Sequence, residues 1–173
     1  MDAKIATTLV LAALLSSCAV PRSAPQQYYI TPVFDVTTAR AMLQPGTNQI
    51  KGSALMRQQG GGVVTCAGRP VYLIPATEYA KDRLRLLYQS GDDRRFTRAR
   101  SVEFFPNPPE YLETTRQALC DAQGYFNFDK VADGEFFVNS SISWTVAHIE
   151  QGGYLLYRVK VGGGEVLSIV LAQ

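Results

Sequence analysis

Residues 154–172 carry the pattern that most restricts the fold. Leu155, Tyr157, Val159 and Val161 alternate with Arg158 and Lys160, Gly162-Gly163-Gly164 follows, and Leu167, Ile169 and Leu171 alternate again. Successive side chains of a β-strand point to opposite faces, so a period of two buries one face and wets the other. The spacing predicts two strands, 154–161 and 166–172, joined as a hairpin by the glycines. Leu155, Val159, Val161, Leu167, Ile169 and Leu171 should then face one core.

The same period runs through 135–148. Phe136, Val138, Ile142, Trp144 and Val146 form an apolar face, His148 falls in register with it, and Asn139, Ser141, Ser143 and Thr145 form the polar face. This register places Trp144 inside. A single strand here exceeds the usual length, so a bulge or break is expected near Asn139-Ser140.

Further short runs rich in Val, Ile, Tyr and Phe, separated by Gly and Asp-Gly turns, predict strands near 48–56, 63–74, 113–120 and 124–129. The expected class is mainly β: a seven-stranded antiparallel β-sandwich with a helical and irregular insertion, residues 75–112, between strands two and three. In that insertion Thr77 can cap a helix whose Ala80, Leu84, Leu87 and Tyr88 form one stripe. The run Phe104-Phe105-Pro106-Asn107-Pro108-Pro109 is too rich in proline to be helical. A short helix is expected over 35–43, capped by Asp35 or Thr37 and ended by Pro45-Gly46.

The N-terminus has Lys4, an apolar run from Ile5 to Leu15, and Ser16-Ser17-Cys18. A helix over that run would span about 16 Å, roughly half of the hydrocarbon thickness a membrane-spanning helix must cross. Residues 1–17 read as a signal peptide. Small residues ending directly on cysteine resemble the bacterial lipobox, which implies cleavage before Cys18 and a lipid on its sulfur. Ala19 in the next position implies the outer membrane. The alternative is an ordinary secretory signal with Cys18 incidental. Residues 18–33 then form an extended linker and 34–173 one domain.

Removing 17 of 173 residues leaves 156, enough for one core. With Cys18 assigned to lipid, Cys66 and Cys120 form an even pair in a compartment where disulfides persist, and a bridge is expected between them. The alternative is two buried free thiols.

The stretch from Cys120-Asp121-Ala122-Gln123-Gly124 through Tyr125-Phe126-Asn127-Phe128 and Val131-Ala132-Asp133-Gly134 to Phe136-Phe137-Val138 resembles carboxypeptidase regulatory-like domains. Residues 50–54 and 68–75 resemble the first two strands of that pattern. The resemblance implies a prealbumin-type (Ig-like) sandwich. The 75–112 insertion is longer than that pattern needs, and Cys120 stands where relatives often carry a hydroxyl. Related surface domains build a Lys-Asn isopeptide bond; Lys51 sits in the first strand, but residues 166–173 hold no Asn, so that crosslink is not expected.

No Gly-x-Ser-x-Gly elbow, phosphate loop or dinucleotide fingerprint is present, and one histidine, His148, cannot supply a histidine-based zinc site. Neither an enzyme, a metal nor a cofactor is expected. Asp121, Asp129, Asp133 and Glu135 read as turn residues, since no loop here has calcium-ligand spacing. A net charge of +2 is not that of a nucleic-acid binder. Between Lys81 and Arg100, inside the insertion, seven basic residues (Lys81, Arg83, Arg85, Arg94, Arg95, Arg98 and Arg100) stand against three acids (Asp82, Asp92 and Asp93), and Phe104 and Phe105 follow. That segment is the candidate interaction surface. The expected function is a non-catalytic, lipid-anchored component of an envelope assembly that presents it to a protein partner. The other reading is a carbohydrate or peptidoglycan binding module, against which the inward register of Trp144 counts.

Overall fold

The computed structural model describes residues 24–89, 94–98 and 101–173. Residues 1–23, with the signal peptide, Cys18 and most of the linker, lie outside them. Eleven strands and three helices follow in order: β1 (Gln26–Tyr29), α1 (Val36–Met42), β2 (Asn48–Arg57), β3 (Val63–Thr65), β4 (Pro70–Pro75), α2 (Glu78–Tyr88), β5 (Arg94–Arg98), β6 (Val102–Phe105), α3 (Glu110–Glu113), β7 (Arg116–Leu119), β8 (Tyr125–Val131), β9 (Gly134–Val146), β10 (Ile149–Val161) and β11 (Val166–Leu171). The chain is mainly β, with eleven described strands rather than the seven expected.

One sheet has the order β5-β10-β9-β4-β7, and every neighbouring pair in it is antiparallel. In the other, β2 is flanked by β11 in parallel and by β8 and β3 antiparallel. The two sheets share one core. Phe136, Val138, Ile142, Leu155 and Val159 of the first pack with Ile50, Ala54, Met56, Phe126, Phe128, Ile169 and Leu171 of the second. Burying a side chain of this size contributes about 1.5–3 kcal/mol. All six residues expected to share a core do so, five of them buried and Leu167 packed against them.

The insertion covers the opposite face of the five-stranded sheet. The side chain of Thr77 accepts from Ala80 N, and α2 seats Tyr79, Ala80, Leu84 and Tyr88 on Ile74, Phe137 and Leu156. A two-stranded parallel ribbon, β1 with β6, adds Tyr28 and Phe104 to that second core. The helix at α1 is capped by Asp35, whose Oδ1 accepts from Thr38 N at 3.0 Å.

Four expectations are corrected. Residues 154–161 and 166–172 do not pair as a hairpin: after Gly162-Gly163-Gly164 the chain crosses to the other sheet, and β11 lies parallel to β2. A period of two records which face is buried, not which strand is the neighbour. No bulge interrupts β9, whose pairing with β10 is continuous from Gly134 to Val146. The 63–74 run is two strands, parted at Cys66. And the linker ends before Gln26, because β1 finds a partner in β6.

Glu135 joins α2 to β10. Arg158 Nε donates to its Oε1 at 2.7 Å, and Lys81 Nζ lies 3.8 Å from Oε2. The Arg158 hydrogen bond, aided by the positive charges of Arg158, Lys81 and Lys160, holds this carboxyl below its ordinary 4.5. A depressed carboxylate stabilises the fold above its unfolded value and loses that contribution as pH falls through the folded one. Glu135→Gln should therefore lower the melting temperature slightly at pH 7, by less than about 1 kcal/mol in stability because the pair is partly solvated. Thermal unfolding at stepped pH should show the gap to wild type closing below about pH 4.

Candidate binding trough at the open end of the two sheets

The inward face of the five-stranded sheet is longer than the sheet that covers it. Cross-strand pairing puts Ile142 opposite Gly153, Trp144 opposite Gln151, and Val146 opposite Ile149, while on the far side Phe96 pairs with Leu155 and Arg98 with Gly153. By alternation Phe96, Arg98, Trp144, Val146, Ile149 and Gln151 belong to the core-facing rows. At that end β2 stops at Arg57 and turns through Gln58, Gln59 and Gly60 into β3. The rows run on uncovered, and the space between the two sheets opens into a trough of about 840 Å³.

Trp144, Phe96, Val146 and Ile149 supply its apolar lining; Arg57, Gln58, Gln59, Arg98, Glu150, Gln151 and Gln173 supply the polar groups. Trp144 is half-buried, packed against the main core on one side and presented to the trough on the other. The expected register is thus right, but it does not bury Trp144 fully. Alternation shows which side of a sheet a residue takes and is silent on where the opposing sheet ends.

Glycine makes the wall possible. A Cβ on Gly153 would run into the carbonyl oxygen of Thr97 and stand 2.8 Å from Cε2 of Phe96, so only glycine lets β5 close against β10 with that ring over it. The β9–β10 turn holds Ala147 at φ 48° and His148 at φ 68°. A two-residue hairpin of the type I′ kind needs positive φ at both positions, which costs residues other than glycine or asparagine about 1 kcal/mol or more each. His148 is exposed in that turn and has left the apolar register.

The described basic residues of the insertion are not brought together. Lys81 bonds Glu78 at 2.8 Å, and Arg85 bonds Asp82 at 2.6 Å. Arg83 donates to Asn107 Oδ1 at 2.6 Å and to the Tyr79 hydroxyl at 3.1 Å, its guanidinium 4.0 Å from the Phe104 ring centre and 4.6 Å from that of Tyr111. Phe104 is buried; Phe105 is exposed and stacks on Tyr29 at 5.8 Å. Arg94 and Arg95 lie in β5, their side chains outside the described residues, as is the whole of Arg100. Among the described basic residues of the insertion, only Arg98 reaches the trough.

The acidic residues are likewise dispersed. Asp121 Oδ1 accepts from Gln123 N and Tyr125 N, Asp129 meets Asn127 and Gln49, and Asp133 meets Asn48 and Gly163. Asn127 and Gln49 hydrogen bonds lower the Asp129 pKa. The Cys66–Cys120 bridge is present, joining the end of β3 to the end of β7 with Cα atoms 5.8 Å apart. It staples one sheet to the other. Among the described residues no helix is long and apolar enough to cross a membrane.

No known family's sequence profile matches the chain, and no curated protein does. Its fold resembles the crystal structure of a Pseudomonas aeruginosa protein described as a "putative carbohydrate binding protein". The two superpose with a TM-score of 0.66 at 25% identity, over 82% of this chain and 99% of the other.

Proposed function

We propose that this chain is a glycan-binding module, held at a bacterial outer membrane through a lipid on Cys18. The observation that carries the reading is the half-buried Trp144 in a trough that also holds Phe96, four glutamines and two arginines. A pyranose ring offers an apolar C–H face and a rim of hydroxyls. An aromatic plate anchored in the core accepts the first, and amides, which both donate and accept, accept the second. The volume is that of a small-ligand cleft. The likeness to the Pseudomonas aeruginosa protein supports the same reading, as does the prealbumin-type sandwich that residues 120–138 suggest. Peptidoglycan strands and envelope polysaccharides are the glycans such an anchor would place within reach. No catalytic role is assigned to the trough.

Trp144→Ala and Phe96→Ala should each weaken oligosaccharide binding, Trp144→Ala by at least about tenfold, as expected for a central aromatic anchor. Titration calorimetry against soluble peptidoglycan fragments and polysaccharide oligomers checks this. Equal affinity in wild type and Trp144→Ala would remove the trough from the function.

A protein-contact role draws on one feature, the exposed Tyr29–Phe105 stack on the β1–β6 ribbon. Deleting residues 91–110 would also remove two paired strands, so the clean variant is Phe105→Ser. Loss of a co-purified envelope partner in that variant alone would support it.

A further inference from the structure

We propose that the trough selects sugars that carry a carboxylate, an inference that rests on the trough being the glycan site. Eight arginine side chains are described. Five are engaged within the protein: Arg69 with Ser143, Arg83 with Tyr79 and Asn107, Arg85 with Asp82, Arg116 with the carbonyls of Asp129 and Lys130, and Arg158 with Glu135. The side chains of Arg40, Arg57 and Arg98 are exposed, and among the described residues no group bonds them. Two of those three, Arg57 and Arg98, line the trough.

They arrive from different sheets, Arg57 from the last residue of β2 and Arg98 from the last residue of β5. Local sequence therefore does not explain their convergence. Among the described lining side chains these two cations stand against one acidic side chain, Glu150. An unpaired guanidinium keeps its planar fork of donors available, and that fork matches a carboxylate with two parallel hydrogen bonds. Beside it the glutamines hold hydroxyls, and Trp144 and Phe96 take the ring face. A uronic acid or a lactyl-substituted sugar presents these three chemistries together. A neutral hexose would leave both arginines in water, forgoing the charge-assisted bonds.

The test is a set of uronic-acid oligosaccharides of several linkages, each paired with its carboxyl-reduced neutral counterpart, titrated into the folded protein. Wild type should bind the acidic member of a pair at least about tenfold more tightly. That preference should fall steeply as salt is raised. Arg57→Gln and Arg98→Gln should each erase most of the preference, weakening the acidic member of a pair far more than the neutral one, while Arg40→Gln, which removes the same charge elsewhere, should change neither affinity. Equal affinity for acidic and neutral members overturns the inference and leaves the glycan site standing. A preference that survives both trough substitutions overturns it too. Failure of every oligosaccharide to bind overturns the site and the inference together.

Discussion

Replacing Cys66 and Cys120 with serine should lower the free energy of unfolding by about 4 kcal/mol on the chain-entropy view of a crosslink that closes 54 residues. For a domain of this size that corresponds to a melting point lower by roughly 10–15 °C. The bridge joins β3, in one sheet, to β7, an edge of the other. Neither is otherwise strongly held. The β3 strand makes three cross-strand pairs with β2, and β7 makes four with β4. The double substitution should therefore leave the β9–β10 pairing intact and release the β3 and β7 ends first. Guanidinium unfolding of wild type and the double variant, with amide exchange read strand by strand, checks both parts. A loss below about 1 kcal/mol, or equal deprotection everywhere, would show that the bridge does not clamp the sheets.

The second large effect belongs to Asn48, fully buried at the start of β2. Its Nδ2 donates to the Val131 carbonyl at 3.0 Å and to Asp133 Oδ1 at 2.8 Å, while its Oδ1 accepts from Gly164 N at 2.8 Å and Glu165 N at 3.0 Å. One amide thus ties the β8–β9 turn and the β10–β11 crossover to the first core strand. At about 0.5–1.5 kcal/mol net for each bond, Asn48→Ala should cost about 3 kcal/mol. Asn48→Asp should cost as much at pH 7 for a different reason. It keeps the acceptor but sets a second carboxylate against Asp133, which raises the pKa of the new group. Its deficit should shrink as the pH is lowered toward about 5, because protonation restores a donor and removes the repulsion. Denaturant unfolding of both variants at the two pH values decides it. A pH-independent Asn48→Asp would place Asp133 out of contact.

The sequence makes much of this legible where a signal is local. Alternation in 154–172 identifies the core face, Asp35 and Thr77 mark helix starts through their side-chain oxygens, and the even cysteine pair finds its bridge. Partnership across the fold is what local pattern lacks. Gln26–Tyr29 is an extended segment among prolines until Val102–Phe105 pairs with it, and the charged run that holds β5 reads as loop until Gly153 gives it an edge to lie against. In one dimension the basic residues of α2 read as part of a positively charged segment. In three, their partners Glu78, Asp82, Glu135 and Asn107 come from the same helix, β9 and the loop after β6. The trough could not be read at all, since it arises where β2 ends and β9 and β10 continue.

Trp144 is the chain's single tryptophan, so its emission reports on the trough alone. The decisive measurement is a fluorescence titration of the intact protein with envelope oligosaccharides. Binding at the trough predicts a saturable change in intensity or wavelength, with a midpoint that matches the calorimetric affinity and shifts in Phe96→Ala. Oligosaccharide that binds by calorimetry while Trp144 emission stays constant would contradict the account.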